Sequence, residues 1–308
     1  MRHVAITLLL LLPALGAKAQ TLALPAQITN ASGAVTTGFV TGADKDGIFM
    51  STSPDGGNSI KMPVSGIKDY NIEEPKGWSA ALALYQSGDY AQAEAQLAAF
   101  ARQLEKLVPL RDGFGSQAKL FHWQCLKKQG KYAELAKSMD TQLANPVSFG
   151  PAWMEDFQDL QGWAVVGKRD WQMLAQYLKE YQDKDKQGSL PQPPFKTPNR
   201  NRLASLSFLR AILNEQTDRK DLALVDYHGA LSLDFGSDHA TASGAALAAL
   251  RLVNEKMQSA PADIGLKKMG HALAVTYRDL YGKGQVPPEF AKLLEAPPAT
   301  RPPVESAK

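Results

Sequence analysis

The chain of 308 residues has a single cysteine, Cys125, so no intramolecular disulfide framework can form and stability must come from burial. Charge of one sign is also scarce. Lys and Arg number 34 against 31 Asp and Glu, a net charge of +3 with pI near 8.7. The basic residues are scattered rather than gathered in a stripe that could follow phosphates, which argues against nucleic acid as a partner. No G-x-S-x-G, H-E-x-x-H or phosphate-loop pattern occurs. Long apolar runs are missing too. The longest, Val4–Leu15, is well short of the roughly 20 residues that cross a bilayer. With Arg2 before it and Ala17-Lys18-Ala19 after it, residues 1–19 read as a signal peptide, with no following cysteine to carry a lipid anchor. The expectation is an exported protein of the periplasm or outer-membrane surface, or a secreted one, with no transmembrane segment after cleavage.

Two kinds of pattern follow. Residues 20–74 are rich in Gly, Thr, Ser and Val, and their apolar positions alternate. Val35 and Phe39 share one face, Ile48 and Met50 another, and Ile60, Met62 and Val64 a third. Period two with β-branched residues predicts short strands, and Asp46-Gly47 and Asp55-Gly56-Gly57 predict the turns between them. After Glu74-Pro75 the period becomes 3.6. Trp78, Leu82 and Tyr85 form one stripe, and Tyr90, Ala93, Leu97, Phe100, Leu104 and Leu107 a longer one, with Gly88-Asp89 between them. The unit recurs around Gly130-Lys131-Tyr132 and ends at Asn145-Pro146. It recurs again from Trp153, Phe157 and Leu160 through a turn at Gly167–Asp170 to Trp171, Leu174 and Leu178. A fourth pair uses Leu203, Leu206, Leu209 and Leu213, then Lys220–Phe235. A fifth uses Leu247, Leu250, Val253 and Met257, then Leu266, Met269, Leu273 and Leu280. Residues 183–199, with four prolines, predict a long loop, Pro287-Pro288 a short capping helix, and residues 296–308 a disordered tail.

Within Lys220–Phe235, Ala223, Tyr227, Ala230, Leu231, Leu233 and Asp234 fall at the offsets of the second helix of a tetratricopeptide repeat. Gly88, Tyr90 and Ala93, and Gly130 and Tyr132, match the small turn residue, the aromatic and the small packing residue of that unit. The chain therefore resembles tetratricopeptide-repeat proteins over about residues 77–282. Gly88 to Gly130 is 42 residues, however, against about 34 in the standard repeat. Gly38-Phe39-Val40, Gly47–Met50, Ile60–Pro63 and Ile67 resemble the SH3-like or Sm-like small β-barrels. Together these imply a mainly α fold: an irregular TPR-like α-α superhelix over residues 75–295, preceded by a small all-β module.

Isolated chemical groups are weighed against packing. His122 and Cys125 lie one turn apart, but two ligands make no zinc site, and Cys125 falls on an apolar stripe. His228, His239 and His271 lack partners at motif spacing. Asp44-Lys45-Asp46-Gly47 fails as a calcium loop because Gly42 stands where an oxygen ligand is needed and Ser53 where a bidentate Glu is needed, and a β-turn is left. Asn30-Ala31-Ser32 fits a glycosylation acceptor, a pattern common by chance. Glu73-Glu74 and Glu155-Asp156 are expected to be solvated. Trp78, Trp123, Trp153, Trp163 and Trp171 are expected in helix cores, with one or two available as anchors in a groove. No catalytic, cofactor-binding or metal-binding residue is assigned. The expected function is non-catalytic protein or peptide binding, as a scaffold in the bacterial cell envelope. The alternatives are peptidoglycan or glycan binding through the β-module, which could equally be only a cap on the helical array, and an enzyme with an unrecognised site.

Overall fold

A computed structural model describes residues 23–140, 149–181, 200–233 and 239–296. The signal-like segment, Leu143 and Asn145-Pro146, the Pro-rich stretch, Asp234 to Asp238 and the tail from Pro297 lie outside the described residues. The fold is mainly α, with a small antiparallel sheet at its N-terminal end.

Five strands, β1 (Leu24–Asn30), β2 (Val35–Ala43), β3 (Gly47–Ser51), β4 (Ile60–Pro63) and β5 (Ile67–Ile72), make one sheet in the order β4-β3-β2-β1-β5. Side chains close its first two hairpins. Asn30 Oδ1 accepts from the N–H groups of Ser32 and Ala34 at 3.0 and 2.9 Å. Asp44 Oδ1 accepts from those of Asp46 and Gly47, both at 2.8 Å. Thus Asn30-Ala31-Ser32 and Asp44–Gly47 are turn-forming segments. A 3-10 turn, Val64–Gly66, carries the chain back so that β5 pairs with β1.

The strand faces correct the simple alternation. Val35 is exposed on β2, and the residue that enters the core is Val40. Counting from Val35 follows the outer face, because the inner positions Thr36 and Gly38 carry no apolar side chain. A bulge between Val40 and Gly42 then shifts the register, and Ala43 turns inward. On edge strand β4, Ile60 is 69% exposed and Val64 lies in the 3-10 turn, also exposed. Only Met62, opposite Ile48, reaches the core.

Among the described residues ten α-helices follow in five successive pairs: α1 (Trp78–Gln86) and α2 (Tyr90–Gln103); α3 (Phe114–Lys128) and α4 (Tyr132–Asp140); α5 (Pro151–Lys168) and α6 (Trp171–Glu180); α7 (Arg200–Gln216) and α8 (Lys220–Leu233); α9 (His239–Ser259) and α10 (Ile264–Leu280). The long stripe after Tyr90 is not one helix. α2 ends at Gln103, and a 3-10 turn, Glu105–Leu107, buries Leu104 and Leu107. The last short element, Pro288–Leu294, is also 3-10. It buries Phe290 and Leu293 beside α10.

Four of the pair turns share one backbone design. A left-handed residue, Gly88, Gly130, Arg169 or Asp218, donates its N–H to the carbonyl three residues back at 2.9–3.1 Å. The residue after it donates to the carbonyl five back. This satisfies carbonyls that the helix end leaves open. Asp89 and Asp170 then cap the next helix by accepting from the N–H groups of Gln92 and Met173. Gly167 is still helical in α5, so the third turn begins at Arg169. A Cβ on Gly167 would lie 1.9 Å from the carbonyl oxygen of Tyr132, because α5 meets the start of α4 backbone to backbone.

Each second helix packs on the next first helix, and the first helices α3, α5, α7 and α9 pack in a row on one another. Two cores result. The sheet's inner face (Leu24, Ile28, Val40, Ile48, Met50) joins Trp78, Leu97, Phe100, Leu104 and Cys125 in the first. Helices α3 to α10 form the second, around Trp123, Trp163, Leu206, Leu209 and Leu250. α3 serves both, with Ala118 and Cys125 on one side and Leu120, Trp123 and Leu126 on the other.

Candidate functional site

The row of first helices holds a cleft of about 280 Å³. Tyr85 comes from α1, Phe121, Gln124, Lys127 and Lys128 from α3, Trp153, Glu155, Asp156 and Asp159 from α5, and Arg202 from α7. One wall is aromatic. Tyr85 and Phe121 meet at 5.2 Å and Phe121 and Trp153 at 5.6 Å, each pair edge to face. Tyr85 also donates its hydroxyl to Gln124 Oε1 at 2.5 Å.

The other wall carries buried charge. Lys127 Nζ donates to Asp159 Oδ2 at 2.8 Å and lies 5.6 Å above the Trp163 ring. Asp159 is only 8% exposed, and its other oxygen, Oδ1, has no hydrogen-bond partner. Buried Arg202 donates to the Glu155 carbonyl and, at 3.2 Å, to the Tyr177 hydroxyl, and lies over the Tyr181 ring. Burial holds the Tyr177 phenol protonated by raising its pKa, and the phenol donates to the Gln158 carbonyl at 2.7 Å. Burial first, then the Asp159 charge, pushes the Asp156 carboxyl above the usual carboxylate range, while Gln124 donates to it and offsets part of the rise. Asp156 is therefore not the freely solvated carboxylate expected at a helix start; it is partly buried in the cleft beside Gln124 and Lys127 of α3.

The other residues singled out from the sequence do not gather here. Ala93, Ala223 and Ala230 are fully buried, and Tyr227 lies against Phe208 at 5.4 Å while its hydroxyl donates to Glu215 at 2.8 Å. Tyr132 stacks on Trp163 at 4.7 Å, and Tyr90 meets Tyr85 at 5.7 Å. Gly88 and Gly130 make the turns. Burial pushes the Cys125 thiol up to about 12 and lowers the His122 pKa. Among the described residues no group of three or more His, Cys, Asp or Glu is placed to hold a metal ion. His271 Nδ1 is 3.0 Å from the Leu293 carbonyl, and His239 packs on Tyr281. Trp78, Trp123 and Trp163 are buried, whereas Trp153 and Trp171 are partly exposed, and Trp153 faces the cleft.

Sequence reasoning missed Lys127, Asp159 and Arg202. The i, i+3 spacing of Asp156 and Asp159 puts both on one helix face, but Lys127 reaches Asp159, and Arg202 the same cleft, only through tertiary packing. Comparison with protein-family models, curated proteins and solved structures returned no match. The functional reading rests on geometry.

Proposed function

We propose that this protein is a non-catalytic peptide-binding scaffold, exported to the bacterial cell envelope. The observation that carries the reading is the cleft on the first-helix row, where partly exposed Trp153 stands beside buried and partly buried charges of both signs. Clefts of this make-up bury an anchor side chain and fix its direction with a few polar groups. The five helix pairs, the turn design that four of them share and the small buried residues at Ala93 and Ala223 support a tetratricopeptide-like array. The strand order and the 3-10 turn before β5 support an SH3-like origin for the sheet. Because the sheet's apolar face is sealed against α1 to α3, capping the array is the role it fits best.

A peptide library panned against the full chain should enrich sequences whose binding is lost in Trp153→Ala. Enrichment indifferent to that substitution would remove the cleft as the site. Export is tested by fusing residues 1–30 to a reporter active only outside the cytoplasm; an inactive fusion ends that part of the reading.

One observation favours a second reading, glycan binding. A hollow of about 470 Å³ lies between the sheet and the 3-10 turn after α2, lined by Phe49, Thr41, Asp55, Ser59 and Lys106. An aromatic ring among hydroxyl and charged groups suits a sugar. The full chain should then sediment with insoluble peptidoglycan and Phe49→Ala should not; equal recovery of both excludes it.

A further inference from the structure

Two of the three cations that line the cleft, Lys127 and Arg202, are committed to the protein. Lys127 points its ammonium at Asp159 Oδ2 and the Trp163 ring. Arg202 spends its donors on the Glu155 carbonyl and the Tyr177 hydroxyl, and its face on Tyr181. The acceptors are not committed in the same way. Asp159 Oδ1 is buried without a donor, a costly state for a carboxylate oxygen unless a ligand supplies one. Asp156 shares the same helix face. Opposite stand the rings of Tyr85, Phe121 and Trp153, steeply inclined to one another, so that their faces turn in different directions.

An unpaired buried acceptor, a second carboxyl and aromatic faces together define a cation site. Resting on the peptide-binding reading above, we propose that the cleft takes a basic side chain of the bound peptide. The ammonium or guanidinium donates to Asp159 Oδ1, and the aliphatic stem lies against Trp153 and Phe121. An anion would meet the carboxyl groups of Asp159, Asp156 and Glu155, with Lys127 and Arg202 already engaged by the protein. A neutral apolar side chain would leave Oδ1 unpaired.

The test uses blocked pentapeptides identical except for a central Lys, Arg, Nε-acetyl-lysine, citrulline, Glu or Leu. They are titrated into the full chain and followed by chemical-shift changes. The Lys or Arg peptide should bind at least about tenfold tighter than its neutral isostere. Asp159→Asn should erase that preference. Because this variant leaves Lys127 buried without its carboxylate and risks misfolding, Trp153→Ala, at a partly exposed position, serves as the second probe. It should weaken the basic peptide by about tenfold with circular dichroism unchanged. Equal binding of the Leu peptide, tighter binding of the Glu peptide, basic-peptide binding indifferent to Trp153→Ala, or no binding by any of the six overturns the cation site. The broader reading falls only if library selection also yields no Trp153-dependent binder, so the two failures are told apart.

Discussion

Tyr227 shows how one side chain ties helices together. Its ring is 2% exposed against Phe208, and its hydroxyl donates to Glu215, which also pairs with Arg251 of α9. Tyr227→Ala should cost roughly 3–5 kcal/mol in urea unfolding, the range for emptying a buried aromatic position. A loss below about 0.5 kcal/mol would place this residue outside the core. His228, the next residue, gives a pH signature. Its Nε2 is buried without a partner, and burial alone pulls its pKa below 6.5. Near pH 6.5 the unfolded chain therefore binds a proton that the folded chain refuses. The stability contributed by the neutral imidazole is present above that pH and is lost as pH falls. Replacing His228 with Leu should flatten the fall of the urea midpoint between about pH 7.5 and 5. An unchanged slope would assign the fall to other groups.

At the scale of elements, the four shared turns separate what the sequence displays from what the fold imposes. Gly88 and Gly130 were legible, because glycine adopts positive φ without a steric penalty. Arg169 and Asp218 were not, although their φ values of 56° and 57° place them in the same left-handed region. There an L-residue gives up about 1–2 kcal/mol, tolerated because the helices on both sides fix the turn. Arg169→Gly should thus stabilise the protein by roughly 0.5–1 kcal/mol, the steric relief less the added freedom of the unfolded chain. A loss of stability would mean that the Arg169 side chain holds the turn. Helix periods and turn positions were readable because each stripe reports local burial. The β2 bulge was not, since its register depends on pairing with β3. The cleft was hidden for a similar reason. Lys127, Asp159 and Arg202 come from three separate helices, and only the stacking of α3, α5 and α7 brings them together.

At the scale of the molecule, the change of pattern near residue 75 marks a change of element type, but the core does not stop there. Leu24, Ile28, Val40, Ile48 and Met50 bury themselves against α1, α2, the 3-10 turn after α2 and α3, not within the sheet alone. Each such side chain is worth about 1.5–3 kcal/mol of burial. Five of them match the whole net stability of a typical domain, about 5–15 kcal/mol. Conversely, Trp78, Leu97 and Leu104 use the sheet as their cover. A chain starting at residue 75 should therefore lose more than a module. Its α1 and α2 should exchange amide hydrogens at near-unfolded rates, and α3 should fray on the side that carries Ala118 and Cys125. Helices α5 to α10, which share the other core, should keep their protection. Peptide binding at the cleft should weaken in parallel, because Tyr85 stands on α1 and Phe121 on α3. If hydrogen exchange instead finds α1 to α3 as protected as in the full chain, the sheet is an appended module and its shared core contributes little. The cleft would then keep its affinity without it.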